Sequence, residues 1–388
     1  MHRELISRQL EFALRESLDA PSLRLLDLHG ERPPIDEQRE PWLPIKYGAA
    51  SADEWFGVVP AVARLQRSAD TPEERLPLAV KVNPRQGLAR GLIPWIVGRQ
   101  RIALDRPYWQ YRRAAQCDDT AGRERHIYAL AADTPQLRRV LPWCYGTGGD
   151  DASGEQVVFL DFLTEMSRLD ASGAIADWPP EAIDGALRAA AGWHAAFWGL
   201  ELGEFSWAGP RPSTSDMLAD EPLWRGLLDD AHRRFPDIVS DAVWRRRHRL
   251  IDTLAEWHAF KDLLPATLAH NDFNQRNVGF RPDVVVLDWE LVERNTAQRD
   301  LVEMLVFVLP ASADRAQIDR HVEAHRLALI DNGASDVDRE QWIEGFRCEV
   351  KVEAIDRVSL QLLFAAEFPL AYIGRINATV ERLLDFYE

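Results

Sequence analysis

Within the forty residues ATLAHNDFNQRNVGFRPDVVVLDWELVERNTAQRDLVEML (266–305), five polar side chains have the types and spacing to do chemistry: His270, Asp272, Asn277, Asp288 and Asp300. Apolar runs flank them. The pattern predicts a strand ending at His270, a loop bearing Asp272 and Asn277, a turn at Arg281, Pro282 and Asp283, and a second strand, VVVLDW, with Asp288 at its end. A hairpin of that size brings two carboxylates and an amide oxygen around one small volume. Phosphoryl transfer needs such a set, because Mg²⁺ takes hard oxygen ligands, usually one or two carboxylates plus substrate phosphates. Asn277 and Asp288 offer oxygens of that kind. Asp272 is left to accept a hydrogen bond from an attacking hydroxyl and align it with a γ-phosphorus, a step in which positioning matters more than basicity.

HNDFNQRN matches the His-x-Asp-x-x-x-x-Asn catalytic loop of kinases, and LDWE resembles the metal-binding segment of the aminoglycoside phosphotransferase and choline kinase superfamily. The resemblance runs in motif order over roughly residues 45 to 305. It implies an α+β, bilobal protein-kinase-like fold that binds ATP and Mg²⁺ between a β-rich lobe and a mainly helical lobe and passes the γ-phosphoryl group to a hydroxyl of a small molecule. Carried over residue by residue, it makes Asp272 the catalytic aspartate, Asn277 and Asp288 the metal ligands, and His270 a brace for the loop. Asp300 corresponds to the downstream aspartate that supports the loop.

The N-terminal half offers the nucleotide partners that the resemblance implies. Lys81 ends the apolar strand LPLAVKV, and the chain has only four lysines (Lys46, Lys81, Lys261, Lys351), so a lysine there is a selective choice. By resemblance it pairs with the α and β phosphates and is held by a glutamate from the next helix, Glu124 in GRERHIYAL, with Glu73 and Glu74 as competitors. The intervening LARGLIPWIVGRQRIALDRPYWQYRR departs from compact kinases and reads as an insertion. KYGAASADEWFGVV contains no G-x-G-x-x-G, so the backbone amides of 48–51, with Ser51, are left to cradle phosphate. VVFLDFL reads as the connection between lobes, whose backbone near Asp161 and Phe162 meets adenine. AGWHAAFWG, with His194 and Trp198, is similar to a segment of bacterial members of the superfamily. Its helical spacing makes His194 a core histidine or a substrate contact.

These elements divide the chain into a helix and linker (1–44), a β-rich nucleotide-binding lobe (45–163) and a helical lobe with the catalytic loop and acceptor site (164–388). The first lobe carries a hairpin at 54–65 and 76–82, helical periodicity at 89–101 and 121–132, and the strand VVFLDFL after the turn-rich GTGGDDASGEQ. Helices are expected from PPEAIDGALRAAAGWHAAFWG onward, near 213–235 and 238–264, and again after residue 290. With 62 acidic against 46 basic side chains the net charge is -16, which repels nucleic acid and lets the hydroxyl acceptor be cationic: an aminoglycoside, a peptide antibiotic or a choline-like amine, with a neutral metabolite or macrolide also allowed. Arg245, Arg246, Arg247, His248 and Arg249 read as a solvated helix face or a phosphate patch. Three cysteines without metal-type spacing fit a reducing cytoplasm. The N-terminus reads as an amphipathic helix and not a secretory signal, and the longest apolar run, LVEMLVFVLP, is too short to span a bilayer.

Glu290 reads as a third metal-site oxygen, a contact for a cationic acceptor, or a surface ion-pair partner. Trp193, Trp198 and Trp207 with Phe197 and Phe205 read as core, with an ammonium cage as the rival. Two other function classes compete: a nucleotide-binding pseudokinase that regulates a partner, and a metal-dependent hydrolase, which leaves Lys81 unexplained. Only eleven residues separate Asp288 from Asp300, too few for the activation loop of a protein-directed kinase.

Overall fold

The computed structural model describes residues 1–30, 54–84, 96, 98, 120–164, 166–167, 177–200, 205–368 and 370–388. Helix α1 (Arg3–Ser17) is followed by strands β1 (Arg24–Gly30), β2 (Gly57–Gln66) and β3 (Glu74–Asn83). Helices α2 (Thr120–Leu130) and α3 (Pro135–Val140) precede strands β4 (Cys144–Asp150) and β5 (Glu155–Asp161). The five strands form one antiparallel sheet in the order β1-β2-β3-β5-β4. Alternation sorts its faces: Val59, Ala61, Ala63 and Leu65 of β2 and Leu78, Val80 and Val82 of β3 point into a core closed by Ile6, Leu10, Ala13 and Leu14 of α1. That helical spacing lays one apolar stripe on the sheet. Lys81, flanked by inward-facing valines, therefore projects from the opposite face, toward the second lobe.

Two expectations about this lobe are corrected. Residues 24–30, expected within the helix and linker of 1–44, pair with β2 as an edge strand, so the N-terminal region is part of the sheet. The turn-rich CYGTGGD segment is likewise an edge strand, β4, turning back only at 151–154. Its glycines misled the reading because they serve packing: a Cβ on Gly146 would stand 2.5 Å from Ala13 Cβ, and one on Gly148 would meet Gln9. The 44/45 boundary, the helix expected at 89–101 and Ser51 lie outside the described residues, apart from Ile96 and Gly98.

The second lobe opens with α4 (Pro180–Ala196), then α5 (Thr214–Ala219), α6 (Glu221–Arg234), α7 (Asp241–Asp252) and α8 (Leu254–Asp262). Each of the two long helices expected over 213–264 is thus broken into a pair. Short strands β6 (Thr267–Ala269), β7 (Val278–Arg281), β8 (Asp283–Val286) and β9 (Glu293–Asn295) follow, with a 3₁₀ turn at Trp289–Leu291. Helices α9 (Gln298–Val308), α10 (Arg315–Asp331), α11 (Arg339–Ile355), α12 (Arg357–Ala365) and α13 (Ile373–Tyr387) complete the lobe. Every residue of α9 is buried, which accounts for the apolar LVEMLVFV run as the lobe's central helix. Among the described residues no helix is long and apolar enough to cross a membrane. The arginine run on α7 is not a solvated face throughout: Arg246 pairs with Asp385 and Glu388, and the buried Arg247 bonds Glu381 and Asn377, fastening α7 to α13.

The contact of α1 with β4 yields a test. Ala13 Cβ is bonded directly to the helix backbone and cannot swing aside, so Gly146→Ala must push α1 off the sheet. We expect a loss of about 1–3 kcal/mol, read as a lower urea midpoint; an unchanged midpoint would refute that packing.

Candidate active site

Burial and opposite charge fix Lys81. Its Nζ donates to Glu124 Oε1 at 2.8 Å and to Asp288 Oδ1 at 2.5 Å, and Asn83 Nδ2 holds the other oxygen of Glu124 at 3.1 Å. Burial disfavours the ammonium, but Asp288, Glu124 and Glu290 outweigh it and hold the lysine well above its ordinary value, so Lys81 is a cation. Asp288 stands 207 positions away in the chain, and this contact joins the two lobes. Side-chain exposure is 8% for Lys81, 1% for Glu124 and 39% for Asp288, which makes the aspartate the open end of the triad. Glu290 is buried beside Lys81, and this removes the surface ion-pair reading of it. Neither Glu73 nor Glu74 competes, since they pair with Arg64 and Arg67.

The loop after β6 is shaped by Asp300. This fully buried carboxylate accepts from the His270 amide at 2.8 Å, the Asn271 amide at 2.9 Å and His194 Nε2 at 3.0 Å. Burial pushes its carboxyl up, but the hydrogen bond and charge of His194, with His270, outweigh that and leave it below its ordinary value. The His270 ring spans the loop: Nε2 donates to Leu287 O at 2.9 Å, and Nδ1 accepts from the Asp272 amide at 3.2 Å. His270 thus links the loop to Leu287, and Asp300 holds the amides of His270 and Asn271. His194 is a core histidine; behind it stands His325, whose Nε2 lies 3.3 Å from His194 Nδ1.

Asp272 is partly open. Its Oδ1 accepts from Asn274 Nδ2 at 2.9 Å and Arg357 Nη2 at 3.3 Å, and its Oδ2 from Asn277 Nδ2 at 2.7 Å. The same Asn277 nitrogen donates to Asp272 O, which turns the amide oxygen away from Asp272. Asn277 and Leu287 sit at the open end of the β7–β8 hairpin, joined by Leu287 N to Asn277 O at 2.8 Å, so Asp288 follows directly. The expectation that one hairpin carries all three side chains is corrected here. β6 pairs with β9, not with β8, and Asp272 lies in the loop between the two ladders. The period-2 pattern located the strands, but three-residue strands carry too little pattern to specify partners.

The donor set suits a hard divalent cation. Among the described residues no group of three or more His, Cys, Asp or Glu side chains gathers to hold a metal. An amide oxygen on Asn277 and the exposed carboxylate of Asp288 leave most of a coordination shell to phosphate oxygens and water, which is how Mg²⁺ is usually held. Asp161 closes β5, with its amide on Trp143 O at 2.8 Å and its carboxylate 3.6 Å from Arg281, so Phe162 leaves the sheet where the lobes meet. Of the aromatic concentration, Trp193 and Phe197 are buried core, Trp193 packing edge-on against Phe273 and Trp289, while Trp198, Phe205 and Trp207 are partly buried against that core. Sequence reasoning missed Arg357, His325 and Arg299. Arg299 bonds Asn271 Oδ1 at 3.0 Å and also Glu353 and Glu303. Isolated arginines in helices give no local signal of such a role.

No family model matches the chain, and no curated protein matches it. Solved structures similar to it include an apo macrolide 2'-phosphotransferase from Brachybacterium faecium, with 15% identity, 96% of this chain and 97% of that chain covered, and a TM-score of 0.43. Choline kinase from Streptococcus pneumoniae has 11% identity, coverage of 97% and 99%, and a TM-score of 0.43. A glucosamine kinase in complex with glucosamine, ADP and inorganic phosphate has 16% identity, coverage of 92% and 100%, and a TM-score of 0.45. At such identities and scores no role passes from those proteins to this chain, and the reading of the site rests on its own side chains.

Asp300→Asn replaces an acceptor by an amide that can turn a donor toward two backbone amides. Loss of charge-assisted bonds worth about 1.5–3 kcal/mol each predicts destabilisation of about 3 kcal/mol or more by urea unfolding at neutral pH. Because the folded carboxyl lies below its unfolded value of about 3.9, its stabilisation is complete above that pH and drains away as pH falls through the folded value. The wild type should lose stability on acidification through that window more steeply than Asp300→Asn; equal slopes would contradict the assignment.

Proposed function

We propose that the protein is an ATP-dependent small-molecule kinase of the aminoglycoside phosphotransferase and choline kinase superfamily, transferring the γ-phosphoryl group to a hydroxyl. The observation that carries this reading is the meeting of a buried lysine, held by Glu124 and Asp288, with Asp272 and Asn277 bonded to each other at 2.7 Å on the next loop. The triphosphate enters between the lobes. Lys81 takes the α and β phosphates as a fixed cation, with Glu124 keeping it extended from β3. The backbone near Asp161 and Phe162 meets adenine.

Asn277 and Asp288 would hold Mg²⁺, which would supply positive charge to offset that of the triphosphate. Asp272 accepts a hydrogen bond from the acceptor hydroxyl and aims its oxygen at the γ-phosphorus. The new O–P bond forms as the bridging β–γ P–O bond breaks, ADP leaves, and the hydroxyl proton passes to Asp272. Asn277 and Arg357 keep the aspartate from rotating away, and a loose transition state rewards that kind of orientation. A regulatory pseudokinase would have no need of an oriented Asp272, and a hydrolase would have no need of Lys81. Cys144 and Cys348 are free thiols, which suits the reducing cytoplasm proposed as its location.

Transfer from γ-labelled ATP across a panel of alcohols, amino alcohols and antibiotics tests the reading. Asp272→Ala is expected to lower kcat by about 10²–10⁴-fold while ATP binding is retained, and Lys81→Met to weaken ATP about tenfold or more. Full activity in Asp272→Ala would overturn the assignment.

A further inference from the structure

Two arginines beside the loop after β6 are paired with acids. Arg299 grips Glu353 at 2.6 Å as well as Glu303, and Arg357 lies 3.6 Å from Glu303 and bonds Asp272. Arg276 differs. It belongs to the loop itself, directly before Asn277, and among the described residues it has no carboxylate within ion-pair distance. Its Nη1 donates to the Tyr372 hydroxyl at 3.0 Å, with the guanidinium 5.8 Å from the centre of that ring. A neutral phenol fixes the orientation of the guanidinium and leaves its charge uncancelled. Nε and Nη2 carry three further N–H groups, with no acceptor among the described residues, and neither nitrogen is sealed from solvent.

Both ends of this side chain are held. Arg276 N donates to Asn274 Oδ1 at 3.0 Å, and Asn274 Nδ2 donates to Asp272 Oδ1 at 2.9 Å, so one amide sets the arginine's backbone and the aspartate's carboxylate together. Tyr372, directly before α13, is buried with its ring 5.6 Å from that of Phe307 on α9. Burial works against the guanidinium's charge, and Tyr372, Asp272 and Asp288 together outweigh it. Those two carboxylates stand at opposite ends of the transfer, Asp272 where the hydroxyl is aimed and Asp288 where the triphosphate is met. A cation acted on by both lies beside the path of the group that passes between them. A partly buried charge is costly until a counter-charge completes it, and phosphoryl oxygens match the planar fork of a guanidinium.

We infer, resting on the phosphotransferase reading above, that Arg276 is a further catalytic residue: its Nε and Nη2 donate to a non-bridging oxygen of the γ-phosphoryl group in transit, while the Tyr372 hydroxyl holds Nη1. Arg276 gives up no proton and forms no covalent bond. The O–P bond made and the P–O bond broken are those of the transfer already described. Its donors act on charge spread over the equatorial oxygens of a loose transition state, where a fixed cation is most effective.

The full chain is assayed with Mg²⁺ and γ-labelled ATP for transfer to the panel of alcohols, amino alcohols and antibiotics and to water. Its affinity for ADP is measured by calorimetry with and without aluminium fluoride, which mimics the phosphoryl group in transit. Arg276→Met is expected to lower kcat about 10²–10³-fold with the KM for ATP changed less than about threefold. It should also abolish the tightening of ADP by aluminium fluoride while keeping the affinity for ADP alone, which shows that the variant is folded. Arg276→Lys keeps the charge and is expected to lose about tenfold in kcat, because a point charge cannot serve Tyr372 and a phosphoryl oxygen together. That variant decides the matter if Arg276→Met does not fold. Wild-type kcat in either variant, or undiminished tightening by aluminium fluoride in Arg276→Met, would overturn the role of Arg276 and leave phosphotransfer intact. A wild type that binds ADP yet transfers phosphate to no acceptor and not to water would instead overturn the phosphotransferase reading, and the role of Arg276 with it.

Discussion

One buried carboxylate sets the conditions for the rest of the site. Asp300 lies at the start of the lobe's central helix, out of contact with water, and is tolerable there only because three donors converge on it. Two of those donors are consecutive backbone amides, so satisfying the carboxylate and shaping the loop are one event. If the loop opened, Asp300 would lose its amide partners, and an unpaired buried charge costs several kcal/mol. The histidine side of the hub is similarly constrained. His194 uses Nε2 on Asp300, and burial with the neighbouring His194 keeps His325 well below the ordinary imidazole value, so the second ring stays neutral.

Beneath the loop a ladder of charges extends this principle. Arg299, one position before Asp300, bonds Asn271 Oδ1 and reaches Glu353 on α11 and Glu303 on α9. Glu303 also lies 3.6 Å from Arg357, which bonds Asp272, and Lys261 pairs with Glu349, which in turn receives Thr296. Replacing buried ion pairs by apolar groups is often neutral or stabilising. No apolar side chain, however, can donate to Asn271 Oδ1 or Asp272 Oδ1, so the ladder contributes orientation: it holds the Asp272 carboxylate in one arrangement.

The parts of this arrangement that were legible in the sequence share a physical character. Lys81, Asp272, Asn277 and Asp288 sit at fixed offsets from apolar strands, and strand ends point side chains predictably. The amphipathic helices and the buried run of α9 follow from periodicity in the same way. What escaped were features decided by partners far away in sequence. β4 looked like a turn because its glycines answer to Ala13 and Gln9 on α1. β6 seemed paired to the next strand because three residues cannot specify a register, whereas its ladder is completed by β9. Arg357 lies 85 positions from Asp272, and nothing local marks it.

Backbone strain appears at two points of the site, Asn271 with φ 60° and Asp288 with φ 61°. Left-handed conformations cost least for Asn and Asp among residues with a side chain, and each of these positions needs a reversal that a strand or helix would not supply. At Asn271 the reversal lets two successive amides face Asp300 while the next side chain, Asp272, turns toward Asn277. At Asp288 it breaks the line of β8, so that Leu287 presents its carbonyl to His270 while the following carboxylate turns to Lys81. The His270 ring connects the two reversals through a single hydrogen bond to Leu287. Loss of that bond would uncouple the two loops, although Asn271 would still be held by Asp300 and Arg299, and Asp288 by Lys81.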